Sequence, residues 1–307
     1  MTTVTEPWGV VHEVGGGVYV VSFPDGSSVE ASIRGRLKQQ ARTGARVVIG
    51  DRVRVESGAE ASTIEEVAER DTELVRRGRG RAPKILAANL DRVFVIVALR
   101  DPTASTQLID RLLVLVEASG MRPTHVLNKI DLPEALQAAE RLGPIYERIG
   151  YDVLVTSADP PHGLDRLHEA LCDGSSAFIG PSGVGKSSLL NAIDPELGLR
   201  TGALSRKTGT GRHTTVGSRM IPLACGGLVA DTPGFGDVGL WAVRPEDVSA
   251  GFPEIAELEG ACRFRGCAHV SEPDCAVREA VETGDIAESR YESYRVLRDE
   301  AIEASER

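Results

Sequence analysis

The sequence predicts a multidomain protein. It starts with an N-terminal β-barrel of the OB-fold kind, continues into a central α/β domain on a parallel sheet, and ends in a helical unit around a Cys/His cluster. Three observations predict this order. Short β-branched runs separated by Gly, Pro and Asp fill about the first 75 residues. From residue 93 onward, strand-sized apolar runs alternate with helical patterns. Beyond Trp241 the chain turns helical and acidic around closely spaced cysteines. The expected domains are residues 1–75, 76–240 and 241–307.

In the first part, residues 10–14, 18–23, 28–33, 47–55 and 62–67 read as five strands. Gly15-Gly16-Gly17, Pro24-Asp25-Gly26 and Ser57-Gly58 supply the turns between them. Residues 71–84 are basic, carry Gly78, Gly80 and Pro83, and read as a linker. The middle part offers strands at 93–99, 124–127, 153–156 and 177–179, with helices at 108–117, 133–149, 164–171 and 186–193. Two further strands near 217–223 and 228–230 complete the sheet.

With 41% hydrophobic and 26% charged residues, the composition is that of a globular chain and rules out disorder as the main state. No run of about 20 apolar residues exists, which excludes a spanning helix. Residues 1–14 lack a cationic start followed by an apolar block, so no secretory signal is expected. The net charge of −10 argues against a nucleic-acid partner, but its distribution weakens that argument. Residues 32–54 carry seven Lys/Arg against one acid, and residues 200–219 carry five bases and no acid. A local basic face, not the mean charge, sets attraction to phosphate, although such segments also occur as plain solvated surface.

Gly180-Pro181-Ser182-Gly183-Val184-Gly185-Lys186-Ser187, followed by Ser188, fits G-x-x-x-x-G-K-[ST] between a strand and a helix. Glycines there let backbone N–H groups face phosphate oxygens, and the helix N-terminus adds partial positive charge. Lys186 is expected to reach the β- and γ-phosphates as the main catalytic cation, and Ser187 to ligate Mg²⁺. Asn128-Lys129-Ile130-Asp131 follows the strand at 124–127. The Asp131 carboxylate can accept from guanine N1–H and its 2-amino group together, an arrangement adenine lacks. Lys129 can lie along the base, and Asn128 can tie this loop to the phosphate loop. Ser157 and Ala158, ending the next strand, can present a backbone N–H to guanine O6.

Asp231-Thr232-Pro233-Gly234 ends the strand at 228–230. Asp231 would hold a Mg²⁺-bound water, and the Gly234 N–H could meet the γ-phosphate. Between these motifs, Thr214 or Thr215 should complete the Mg²⁺ shell, and Thr215 is taken as the ligand. Phe235 stands directly after this motif and cannot orient a water by hydrogen bonding, so slow intrinsic hydrolysis is expected. His213 is the only histidine between Lys186 and Asp231 and is the candidate water-positioning group; a structural role in its loop is the alternative.

In an ordinary small GTPase the phosphate loop precedes N-K-x-D. Here Asn128 and Ser157 come first, and Gly180, Thr214, Thr215 and Asp231 come later. The cyclic order is kept, so the central part reads as a circularly permuted P-loop GTPase domain. Cys262, Cys267, His269 and Cys275 form C-x4-C-x-H-x5-C. Three thiolates and an imidazole can close a structural tetrahedral Zn²⁺ site; the alternative is a small packed core of reduced residues. Cys172 and Cys225 are expected to be buried apolar residues.

The motif order, G-P-S-G-V-G-K-S-S, G-R-H-T-T, D-T-P-G and the Cys/His cluster together resemble the ribosome small subunit-dependent GTPase A family (RsgA, also YjeQ or EngC) over nearly the full length. The resemblance implies a GTPase stimulated by the 30S subunit that acts late in 30S maturation. It also implies an OB-fold binding 16S rRNA, and zinc held by Cys262, Cys267, His269 and Cys275. A cytoplasmic monomer cycling between GTP and GDP, with no membrane partner, is expected. A GTP-sensing module for a protein partner, with incidental hydrolysis, is the second reading.

Overall fold

The structure, a computed structural model, describes residues 7–33, 46–58, 61–77, 83–199, 218–231 and 243–306. Five strands open it: β1 (Trp8–Gly15), β2 (Val18–Ser22), β3 (Ser28–Ile33), β4 (Arg52–Ser57) and β5 (Ser62–Val67). Each places alternate residues inward, so Val11, Tyr19, Val21, Ala31, Ile33, Val53, Val55 and Ile64 form one core. The order β1-β2-β3-β5-β4 closes on itself because β1 also pairs with β4, Trp8 opposite Arg54. Among the described residues this is a closed five-stranded barrel of the OB type, with β3 and β5 parallel.

Two sequence expectations need correction here. The strand expected over residues 47–55 starts only at Arg52, because the chain turns at Gly50 with φ +85°. A Cβ at Gly50 would overlap the Ala88 carbonyl, and the fully buried Asp51 carboxylate accepts the Val48 N–H at 2.8 Å. The segment read as a linker instead contains a hairpin, β6 (Glu73–Arg77) against β7 (Pro83–Ala88). Its Leu74, Leu86 and Ala87 enter the core of the central domain, so the boundary expected at residue 75 falls inside β6. Arg70 fixes the junction. It donates two hydrogen bonds to Asp51, at 2.7 and 2.9 Å, and others to Glu73 and the Arg46 carbonyl.

The central sheet follows from chain alternation. Its strands are β8 (Arg92–Ala98), β9 (Arg122–Asn128), β10 (Asp152–Ala158), the short β11 (Pro161–His162), β12 (Ser175–Ile179), β13 (Ser218–Pro222) and β14 (Leu228–Asp231). The strands run in the order β10-β9-β8-β12-β14 and are parallel, with β13 antiparallel beside β14. Helix α1 (Thr106–Glu117) starts where the Ser105 side chain accepts the Leu108 N–H at 3.2 Å. With α2 (Ala135–Arg148) it covers Val93, Val95 and Val97 on one face. Helices α3 (Leu164–Leu171) and α4 (Lys186–Ile193) cover Phe94, Ile96 and Ala98 on the other. This two-sided burial explains why residues 93–99 are apolar without interruption. Strand β13 also pairs with β1, Glu13 opposite Arg219, so barrel and sheet are continuous.

The last part comprises a 3₁₀ turn (Pro245–Gly251), α5 (Pro253–Ala256), α6 (Ala276–Thr283) and α7 (Glu288–Glu306). Phe252, Ile255, Val277, Tyr294 and Leu297 form its core, which also takes in Val114 and Leu115 of α1. Arg290 of α7 is buried in that seam. It donates to Asp110 of α1 at 2.6 Å, to Glu254 at 2.8 Å and to the Gly251 carbonyl at 2.7 Å. Its guanidinium lies 4.2 Å from the Phe252 ring centroid.

The expectation for Cys172 and Cys225 is also corrected. They are joined by a disulfide, with Cα atoms 5.4 Å apart, and Cys225 sits exposed on the turn between β13 and β14. The turn is brought to the end of α3 by packing at Gly227, where a Cβ would overlap the Leu171 carbonyl.

Candidate functional site

The phosphate loop joins β12 to α4 at the carboxyl edge of the sheet, beside the point where the strand order reverses between β8 and β12. Three glycines in it have positive φ: Gly180 at +146°, Gly183 at +86° and Gly185 at +98°. Gly180 passes so close to β8 that a Cβ would overlap the Ile96 carbonyl, and one at Gly185 would press on the Asn128 amide. Val184 anchors the loop by burying its side chain beneath it. The Lys186 ammonium is half-buried and donates to the Gly180 and Pro181 carbonyls at 2.7 and 2.8 Å. Burial brings its pKa down to about 8.

Asn128, at the end of β9, is the joint of the site. Its Nδ2 donates to the Val184 carbonyl at 2.8 Å, and its Oδ1 accepts from the Thr156 hydroxyl at 3.0 Å. The ends of β9 and β10 are thereby clamped to the phosphate loop that follows β12. The next turn is tied down by Ile130 N–H on the Thr156 carbonyl at 3.3 Å. Lys129 holds φ +63° and donates through Nζ to the Asp101 carbonyl. Asp131 is exposed on the same edge. Ser157 is buried and donates its hydroxyl to the Pro160 carbonyl, while Ala158 is half-buried at the end of β10.

A cavity of about 460 Å³ adjoins the loop and is lined by Lys186, Ser187, Arg219 and Asp231, with Phe178, Leu190 and Val229 at its apolar side. Ser187 and Asp231 both line it, and hydroxyl and carboxylate oxygens are the hard donors that Mg²⁺ takes. Arg219 is a site residue whose place in the sequence marks it only as surface charge. It sits opposite Asp231 across the β13–β14 pair, with Nε 3.6 Å from Oδ2. Cross-strand register is the one signal that could have found it. His213, Thr214, Thr215, Gly234 and Phe235 lie outside the described residues.

The second candidate site is Cys262, Cys267, His269 and Cys275, whose ligand atoms all lie within 4.8 Å of one another. His269 Nδ1 is 3.5 Å from Cys262 Sγ and 3.4 Å from Cys275 Sγ, and those sulfurs are 3.9 Å apart. Tetrahedral bonds of about 2.3 Å to sulfur and 2.0 Å to nitrogen put neighbouring ligands roughly 3.5–3.8 Å apart, so the set fits a metal ion. The Glu272 carboxylate shapes the loop by accepting the N–H groups of Ala268, Val270 and Ser271 at 2.7, 2.9 and 3.0 Å. Those bonds hold its pKa at about 2. Tyr291 donates to the His269 carbonyl at 2.7 Å, which fixes the ligand from α7.

Comparison with known proteins agrees with this geometry. Residues 67–241 match the family model described as RsgA GTPase. The small ribosomal subunit biogenesis GTPase RsgA of Gemmatimonas aurantiaca is 45% identical, over 98% of this chain and 99% of that protein. The protein of the same name from Actinobacillus pleuropneumoniae is 42% identical, over 83% of this chain and 76% of that protein. Among solved structures, YjeQ from Thermotoga maritima superposes with a TM-score of 0.78 at 33% identity, covering 96% of this chain and 98% of that one. YloQ, a circularly permuted GTPase, gives 0.76 at 30% identity, covering 98% and 97%. With matching sequence, motif order and architecture, the chain belongs to the RsgA GTPase family.

Proposed function

We propose that this chain hydrolyses GTP in the biogenesis of the small ribosomal subunit, in the cytoplasm, with its barrel turned to 16S rRNA. The Asn128 clasp carries this reading, because it holds a guanine-type N-K-x-D loop against a phosphate loop in a single rigid unit. Asp131 accepts from the guanine N1–H and 2-amino group, and the Ala158 N–H meets O6. Lys186 leaves the loop carbonyls for the β- and γ-phosphate oxygens, which neutralises charge as it develops. Mg²⁺, when bound by Ser187, Thr215 and the Asp231 side, adds further charge neutralisation at the phosphates. The Gly234 N–H completes the γ-phosphate contacts, and His213 positions the attacking water.

The test is GTP turnover by the full chain alone, with purified 30S particles and with purified 50S particles. Stimulation of at least about tenfold by 30S alone is expected, and His213→Ala should remove most of it. Equal rates in the three samples would defeat the reading.

The charge of Lys186 makes GTP binding pH-dependent. Below its pKa of about 8 the ammonium is present and binds phosphate. As pH rises through that value the free protein loses the proton, and binding must take one up. The dissociation constant for GTP is therefore expected to stay flat from about pH 6.5 to 7.5 and to rise roughly tenfold per unit well above 8. Lys186→Gln should abolish that slope, which fluorescent-nucleotide titration would measure.

The C-terminal site is proposed to hold one structural Zn²⁺ on Cys262, Cys267, His269 and Cys275. Metal extraction should release about one zinc per chain and lower the melting temperature of the C-terminal unit by several degrees, since binding energy here is folding energy. Stoichiometric zinc loss with unchanged melting would remove the structural role.

A further inference from the structure

We propose that Cys172 and Cys225 form a reversible thiol–disulfide site, whose reaction partners are low-molecular-weight thiols and disulfides. The site links the end of α3 to the β13–β14 turn, two elements whose cysteines are 53 residues apart in sequence. The pairing does not depend on the covalent bond for its geometry. Gly227 of the turn lies against the Leu171 carbonyl with no room for a Cβ, and the Leu228 N–H donates to the Gly174 carbonyl at 2.9 Å. With the backbone docked on both sides, the two thiols remain neighbours after reduction. Closing the bond is then an intramolecular step at high effective concentration.

Accessibility and chemistry favour exchange. Cys225 is exposed and Cys172 is half-buried, so an external reagent reaches Cys225 first. The Nε2 of His168, one turn earlier on α3, lies 3.7 Å from Cys172 Sγ, so a polar group adjoins the sulfur. In oxidation, the Cys225 thiolate attacks one sulfur of glutathione disulfide, forming a mixed disulfide and expelling one glutathione thiolate. The Cys172 thiolate then attacks the Cys225 sulfur, closing the protein disulfide and expelling the second glutathione. Two protein thiols are oxidised, one glutathione disulfide is reduced, and the two thiol protons end on the two glutathiones. Reduction runs the same steps backwards. Disulfides in reducing compartments are mostly of this exchangeable kind, not permanent staples.

The location gives the bond a consequence. The turn that carries Cys225 leads directly into β14, which ends at Asp231 in the phosphate cavity. Closing the bond fixes one end of the hairpin whose other end bears Arg219 and Asp231.

The experiment equilibrates the full-length, zinc-loaded chain in glutathione buffers of stepped ratio, followed by acid quench, alkylation and peptide mass spectrometry. A sigmoidal change from two alkylated thiols to one Cys172–Cys225 cross-link is expected, with Cys262, Cys267 and Cys275 unchanged throughout. The oxidised chain should melt about 5 °C above the reduced chain, and Cys225→Ser should melt alike in both buffers. Cys172→Ser, at the other end of the bond, should show the same insensitivity. Free thiols at the most oxidising ratio, or a cross-link that survives the most reducing one, would overturn the proposal. So would a second zinc per chain lost in both serine variants, because His168, Cys172 and Cys225 would then be metal ligands. All of these outcomes are read from thiol state, melting and zinc content and not from GTP turnover with 30S particles, so this proposal and the proposed function fail separately.

Discussion

Replacing Arg290 with alanine is expected to destabilise the protein by about 3–5 kcal/mol, the cost of orphaning a buried ion-pair network. Arg290 and Asp110 are 1% and 0% exposed, and the same guanidinium serves Glu254 and the Gly251 carbonyl. Asp110 also accepts from the Tyr146 hydroxyl at 2.8 Å, so the network reaches from α7 through α1 to α2. Without Arg290 the Asp110 carboxylate is left in a dry interior with no other cation paired to it among the described residues. Burial already raises the Asp110 pKa, against the pull of Arg290. Removing Arg290 raises it further.

A pH signature results from that direction. A carboxyl whose folded pKa lies above its unfolded value stabilises the fold in its protonated form, and this contribution is lost as pH rises through the folded pKa. The Arg290→Ala variant should therefore be closest to the parent in acid and furthest from it at neutral pH. Denaturant unfolding at two pH values measures this, and limited proteolysis should show the C-terminal helices cut first. Pairing Arg290→Met with Asp110→Leu should recover only part of the loss, since it removes the Asp110 charge but still leaves the Glu254 carboxylate without its guanidinium. A variant with unchanged stability at neutral pH would show that the network contributes nothing net.

Asp131→Asn should weaken GTP binding by about 10²–10³-fold while leaving the fold intact. Two hydrogen bonds to a charged acceptor are lost, at roughly 1.5–3 kcal/mol each before partial compensation by water. The new amide NH₂ also faces the guanine donors, so one arrangement is repulsive. Xanthine carries a carbonyl where guanine has its 2-amino group, and the variant should gain xanthosine triphosphate binding as it loses GTP. The exposure of Asp131 makes structural damage from the change small. Competition titration with both nucleotides checks this, and a variant that keeps parental GTP affinity would take Asp131 out of base recognition.

These two residues illustrate how differently the site and its support are written in the chain. Asp131 belongs to a four-residue motif behind a strand, and a reader needs only the motif and the strand to find it. The same holds for Lys186, Ser187 and the Cys/His spacing, because phosphate loops and zinc loops are built from residues close in sequence. Arg290 sits in an acidic helical tail where nothing local distinguishes it from solvated arginines. Its partner Asp110 is 180 positions away on another domain. Arg219 belongs to a basic stretch that reads as surface, and only the β13–β14 register places it on Asp231.

From sequence alone came the barrel's five strands in outline, the alternation that forces a parallel sheet, the permuted motif order and the choice of guanine chemistry. The first two follow from short-range sterics and hydrophobic periodicity, and the last two from the chemistry of residues a few positions apart in each motif. Tertiary structure alone decided that residues 73–88 contain a hairpin, that Asp51 and Arg70 lock the barrel to the central domain, and that Cys172 meets Cys225. Each depends on which distant surfaces bury one another. That is settled by the whole core at once, because a buried charge or a close glycine contact gains its partner only when both elements are already packed.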